Sequence, residues 1–293
     1  MGWEFCWGGV LKKILFGSFA LTFAAMSSAF GAPPSPIHNW SGFYVGASAG
    51  YGWGDVDADT VGNAWYDPTR ILQGSFLTAN AFLALLPPHF SGNSKGFIGG
   101  GQIGYNYQVN RFVWGIEADF SGANISGSST RIGTPFVFPD PYAVAIGGSA
   151  SESHKLDFFG TVRGRLGFTP SDDRLLVYAT GGLAYGHVRS TTTLSDQFIY
   201  GNGSVSLFNP GTITGSASAM RYGWTVGGGA EYALPTTGWS VKAEYLYYDL
   251  GDVSYTTATS STTLTGTLFT TTNAAVTAHF KGNIVRAGIN YHF

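Results

Sequence analysis

Along most of this chain, apolar residues fall on every second position. From Trp40 onward, Phe43, Val45, Ala47, Ala49, Tyr51 and Trp53 share one parity, and Tyr44, Gly46, Ser48, Gly50, Gly52 and Gly54 share the other. Successive side chains of a strand point to opposite sides, so this run reads as a strand with one apolar face and one small or polar face. The pattern returns in seven further segments, opening near Phe97, Phe112, Leu156, Leu175, Arg221, Trp239 and Ile284. In the fourth strand, Leu156, Phe158, Val162, Leu166 and Phe168 take the apolar parity, opposite Asp157, Thr161, Arg163 and Arg165.

Periodicity alone does not say whether the apolar faces look inward, as in a soluble sandwich, or outward to lipid. The connections decide. Short turns fall at Asn110-Arg111, at Pro170-Ser171-Asp172-Asp173 and at Pro235-Thr236-Thr237-Gly238. The other connections are long, near residues 55–95, 122–152, 189–219 and 251–278. Long and short links alternate strictly, as they do when one rim faces the periplasm and the other the exterior. The prediction is an all-β fold: an eight-stranded antiparallel transmembrane β-barrel over residues 40–293, with four long exterior loops and three short periplasmic turns. Hydrocarbon offers no partner to an unpaired N–H or C=O, so a sheet in lipid must close on itself.

Composition supports this and removes alternatives. Aromatic residues make up 16% and charged residues 11%, against a usual charged share of about 25%, the reverse of a disordered chain. No apolar run reaches the roughly 20 residues of a membrane helix. A net charge of −2 gives no attraction to nucleic acid. Glycine, 43 residues in all, is concentrated on the inward parity, where a narrow lumen favours it.

At the N-terminus, Lys12-Lys13, an apolar stretch over residues 14–26 and the small residues Ser27, Ser28, Ala29, Gly31 and Ala32 form a secretory signal. The predicted organisation is a signal peptide over residues 1–31, cleaved after Ala29 or after Gly31, then a Pro-rich periplasmic lead over residues 32–39. The single cysteine, Cys6, leaves with the signal, so neither disulfides nor thiol chemistry enters the mature chain.

The opening Asn39-Trp40-Ser41-Gly42-Phe43-Tyr44-Val45-Gly46, the stretches LVYATGGLAYG at 176–186, GWTVGGGAE at 223–231 and VKAEYLYYDLG at 241–251, and the ending VRAGINYHF at 285–293 resemble the 25/31-kilodalton outer-membrane protein family of alphaproteobacteria. The resemblance implies a small OmpA-like, porin-like barrel in the outer membrane of a Gram-negative cell. It also implies a role as structural surface antigen, adhesin or haemin binder. The terminal Phe293 resembles the assembly signal read by the barrel-insertion machinery.

Nine charged residues share the inward parity: Glu117, Asp119, Glu231 and Glu244 against Arg163, Arg165, Arg221, Lys242 and Arg286. Buried charges must pair or be hydrated. The expectation is a static polar plug in which the four arginines pair with the four carboxylates and Lys242 is the surplus cation; a salt-bridge gate in a narrow ion path is the alternative. The pattern Gly99-x-Gly101-x-x-Gly104 fits a dinucleotide fingerprint in letters only, since no helix follows it to receive a phosphate. Histidines at 38, 89, 154, 187, 279 and 292 show no metal-ligand spacing. His89, His154 and His279 read as solvated loop residues, with haem ligation as the alternative. No local Ser/His/Asp set marks a nucleophile. In the first long loop, Phe76, Leu77, Phe82, Leu83, Leu85 and Leu86 form an apolar run stopped by Pro87-Pro88, with Phe136-Val137-Phe138 a lesser case in the second. Such a run caps the barrel or binds a partner.

The expected function is that of a monomeric structural and surface-interaction protein in the cell outer membrane. It would contact outer-membrane lipid, the insertion machinery and an exterior surface partner, with no catalytic residue, cofactor, metal or nucleic acid. The alternatives are a small, low-conductance porin for ions or small solutes, or a loop-mediated haem binder or adhesin.

Overall fold

Alternating strands that cannot leave an edge in lipid produce a closed ring. The computed structural model describes residues 38–66, 89–132, 136–138, 144–170, 173–200, 212–262 and 268–293. The signal segment and the apolar run of the first loop (residues 76–86) therefore lie outside the described residues. The strands are β1 (Gly42–Tyr66), β2 (His89–Val109), β3 (Phe112–Ile132), β4 (Phe136–Phe138), β5 (Val144–Phe168), β6 (Leu175–Tyr200), β7 (Thr212–Ala233), β8 (Trp239–Thr262) and β9 (Leu268–His292). All neighbours pair antiparallel; β1 joins β9, and the ring closes through β3–β5. The three-residue β4 pairs with β5 at Phe136–Ile146 and stands outside the ring of eight.

The short turns fall where the sequence places them. Asn110, at φ 55°, takes the left-handed conformation that Asn tolerates between β2 and β3. The chain after β7 turns through Thr236 and Gly238, at φ 63° and 68°. The long connections differ from expectation. Each main strand runs 21 to 26 residues, about twice the 9–11 needed to cross a bilayer. Most of what reads as exterior loop is therefore continued sheet, because the Thr- and Ser-rich flanks keep β-competent residues long after the lipid-facing parity has ended.

Two rings of exposed aromatics mark the lipid band. On the periplasmic side, Phe43 packs on Tyr105, Phe112 on Phe168, and Trp239 on Tyr291. On the exterior side, Tyr51 packs on Phe97, Phe120 on Phe158, and Trp224 on Tyr247. Between Phe43 and Trp53 a tilted strand climbs about 25 Å, the height of an outer-membrane apolar belt.

The register shifts between Gly122 and Ile125, between Leu156 and Phe158, and between Asp249 and Gly251; the inward parity is kept on β3 and changes on β5 and β8. The bulge at Asp157 corrects the fourth-strand reading. Leu156 is buried inside the barrel, and Asp157 stands on the outer wall beside Phe158. Such an insertion re-aims the side chains that precede it.

One interface is short. β7 and β8 pair only from Trp224–Asp249 to Ala233–Ser240. On either side of them, β6–β7 pairing continues out to Thr212 and β8–β9 pairing to Thr262. Above the exterior girdle, β8 instead reaches past β7, and the Tyr255 hydroxyl bonds Ser190 at 2.9 Å and Thr192 at 2.6 Å on β6. The wall thus has a seam, beginning where the lipid ends.

Candidate functional site in the lumen

From the periplasm upward, the first obstacle is Trp40. It precedes β1 and folds across the barrel mouth, fully buried, with Val113, Leu176, Tyr178 and Ala233. Its indole N–H donates to the Asp173 carbonyl at 2.7 Å, its backbone N–H to Gln108 at 2.8 Å, and His38 and His292 pack edge-on against its ring. The sequence reading took Trp40 only as the start of alternation.

Above it lies the charged layer. Glu117 on β3 accepts from Tyr44 at 2.8 Å, pairs with Arg163, and meets Lys242 at 3.2 Å and Arg165 at 3.4 Å. Asp119 accepts from Thr161 at 2.5 Å and pairs with Arg286 at 2.9 Å and Arg163 at 3.2 Å. Glu244 on β8 accepts from Arg286 Nε at 2.7 Å, Arg163 at 3.0 Å and Tyr178 at 3.1 Å. Glu231 on β7 takes Arg165 at 2.8 Å, Ser240 at 2.5 Å and Asn290 at 2.6 Å. The Arg165 guanidinium also lies over the Tyr178 ring, 3.9 Å from its centroid, a cation–π contact strengthened by desolvation.

Eight of the nine charged residues named from the sequence meet here, and all eight are buried. Two details change. Lys242 is an integral member, held between Glu117 and Glu244. Arg221 is the outsider: it sits above the exterior girdle on the stretch of β7 that β8 does not pair, and makes no ion pair among the described residues. Removing it leaves four carboxylates against four cations, an even balance. Tyr44, Tyr178, Thr161, Ser240 and Asn290 were not singled out as site residues, although their parity points inward. Room for Tyr44 comes from Gly104 on β2, where a Cβ would collide with the phenol ring.

The third layer is apolar and was not expected. Ile98, Ile125, Leu156, Phe159, Leu246, Tyr248, Leu250, Phe280 and Ile284 fill the lumen at and above the exterior girdle. The cavity left among Val56, Ile125, Leu156, Tyr248 and Phe280 is about 10 Å³, room for roughly one water. His154, expected in a solvated loop, is buried inside the barrel beside Glu152 at 3.2 Å. His89 and His279 stay at the surface, on Asp59 at 2.9 Å and Asp252 at 2.6 Å. The three do not converge on one point, and no group able to hold a metal forms among the described residues.

A closed antiparallel ring with a lipid-facing apolar belt, two aromatic girdles and a polar interior is an integral outer-membrane β-barrel. The chain belongs to the outer membrane protein beta-barrel domain family, whose model matches residues 22–293. It is 31% identical to the 31 kDa outer-membrane immunogenic protein of Brucella melitensis, over 97% of this chain and all of that protein. It is 26% identical to the 22 kDa outer membrane protein of Rhizobium leguminosarum, over 76% of this chain and 71% of that one. Among solved structures it is similar to the outer membrane protein OprG from Pseudomonas aeruginosa (TM-score 0.36, 12% identity, 86% of this chain and 97% of that one). The protein is located in the outer membrane.

Proposed function

We propose that this barrel is a closed scaffold that holds an extended exterior sheet and its loops above the membrane as a surface-interaction module, and that its lumen does not conduct. The observation that carries this is the stacking of three unlike layers across the lumen: the Trp40 plug, the balanced ion-pair layer and the apolar layer from Ile98 to Ile284. An eight-stranded interior is just wide enough for side chains to fill, and an apolar layer is a barrier to ions however polar the layer beneath it. Paired strands all round the ring at lipid depth leave no edge for a second copy, which supports a monomer. Phe293, 76% exposed at the end of β9 and packed edge-on against Tyr291, is available to the insertion machinery during assembly. Planar-bilayer recording on the purified, folded protein tests the closed lumen. The expected record shows no steady unit conductance; a reproducible ohmic step from the wild-type monomer would overturn the proposal in favour of a small porin.

A further inference from the structure

On the outer wall, one step beyond the exterior girdle, three residues from adjacent strands form a hydrogen-bonded chain that the lumen does not involve. Asp157 Oδ2 lies 2.9 Å from His187 Nδ1, and His187 Nε2 lies 3.0 Å from Ser218 Oγ. A neutral imidazole satisfies both contacts at once, its Nδ1–H donating to the carboxylate and its Nε2 accepting from the hydroxyl. We propose that Ser218, His187 and Asp157 are the nucleophile, base and orienting carboxylate of a hydrolytic site for carboxylic esters of outer-leaflet amphiphiles.

Geometry and roles identify such a set, whatever the order of its members in the chain. The Asp157 bulge in β5 is what brings the carboxylate to the outer face opposite His187. Phe158 stacks on the imidazole at 5.7 Å with the rings nearly parallel, fixing its plane. Ser218 is exposed, so its hydroxyl is open to a substrate.

The seam supplies the second requirement, a donor for the oxyanion. On β7 the Ala233 N–H bonds Arg174 on the β6 side, while the Leu234 N–H bonds Trp239 on the β8 side. The β6–β7 register runs without a bulge from there to Thr212. The even-numbered amides, that of Ser218 included, therefore point toward β8. β8 has ceased to pair by Trp224, so the ladder leaves the nucleophile's own N–H open beside its Oγ.

The substrate class follows from position. The Phe120–Phe158 and Trp224–Tyr247 pairs place the site at the outer headgroup level, where ester carbonyls lie and acyl chains run down the apolar wall. Arg189 and Lys155 also pair with Asp157, at 2.7 Å and 3.4 Å, and hold its carboxylate in place beside His187. In the reaction, Ser218 Oγ adds to the ester carbonyl carbon as its proton passes to His187 Nε2. The tetrahedral oxyanion is held by the Ser218 N–H. The C–O bond to the alcohol breaks, and His187 returns the proton to the departing alkoxide. Water, activated by His187, then cleaves the acyl–Ser218 ester and releases a carboxylic acid. No local run of the sequence holds this set; it is assembled by the registers of β5, β6 and β7.

The test uses the full folded barrel in detergent micelles, with heat-modifiability on gels confirming the fold of each variant. A fluorophosphonate probe should label the wild type at Ser218, and p-nitrophenyl octanoate should be hydrolysed. Ser218→Ala should abolish labelling, and His187→Ala and Asp157→Asn should lower the hydrolysis rate at least about 100-fold, whereas Ser254→Ala, on β8, should match wild type. Folded wild-type protein that takes no label at Ser218, or a Ser218→Ala variant that hydrolyses at the wild-type rate, would overturn the proposal.

Discussion

Replacing Glu117 with alanine would take one carboxylate from a layer in which it touches all four cations: Arg163, Arg165, Lys242 and Arg286. The attraction to Lys242 at 3.2 Å is worth about 5 kcal/mol at an effective dielectric near 20. Most of such a gain offsets desolvation. What remains after the change is a net positive charge in a space shared with Tyr44 and Tyr178 and closed to bulk water. Removing one partner of a buried pair costs about 3–5 kcal/mol for that reason. The assay is reversible denaturant unfolding of protein folded into phospholipid vesicles, followed by tryptophan fluorescence. Glu117→Ala should lower stability by about 3–5 kcal/mol. Lys242→Met alone should also destabilise, but the double variant restores the charge balance. Its loss should therefore be smaller than the sum of the two single losses by at least about 1 kcal/mol. Additive losses, or a Glu117→Ala variant within about 0.5 kcal/mol of wild type, would show that the ion pairs do not act as one network.

Two further outcomes are expected. His279 sits above the exterior girdle; burial alone would lower its pKa, but the Asp252 hydrogen bond and the Asp249 charge outweigh it and raise the value. A raised folded-state pKa contributes stability that is fully present below the unfolded value of about 6.5 and is lost as pH rises through the folded value. NMR titration should thus find His279 above about 6.5 in the wild type and lower in Asp252→Asn, and an unchanged midpoint in that variant would remove the cause given. Deleting Phe293 should reduce the heat-modifiable fraction recovered in the outer membrane while leaving the purified folded fraction as stable as wild type; normal recovery would refute its role in assembly.

The barrel was legible because lipid-facing parity is a strong signal; the same parity named nine inward charges, of which eight meet in one buried layer. What escaped was chemistry that parity cannot carry. The apolar layer was visible only as doublets, Phe97-Ile98, Phe158-Phe159 and the run Tyr245–Tyr248, where both faces turn apolar at once. An alternation read for its outward half passes over the inward one. Arg221 has inward parity, but its height on β7 places it above the ion-pair layer, and height depends on strand tilt and stagger. The Asp157, His187 and Ser218 chain needs the registers of three strands plus a bulge that reverses parity, and neither is written locally in the sequence.

The division of the lumen into a charged layer below and an apolar layer above has a physical cause in what surrounds the wall. At lipid depth the outside of the barrel is hydrocarbon, so burying apolar side chains inside removes little surface from water and gives little hydrophobic gain. The same low dielectric strengthens Coulombic attraction across the ring, as between Glu117 on β3 and Lys242 on β8. Cross-barrel ion pairs are therefore the effective means of holding the staves together there. Above the girdle the wall stands in water, and the balance reverses. Val188, Leu250, Val253 and Val276, each 0–1% exposed, now contribute the ordinary gain of about 25 cal/mol per Å² of apolar surface withdrawn from water. That gain is what allows strands twice the length of a membrane crossing to remain a packed sheet, and allows the β7–β8 seam to open without loss of the wall.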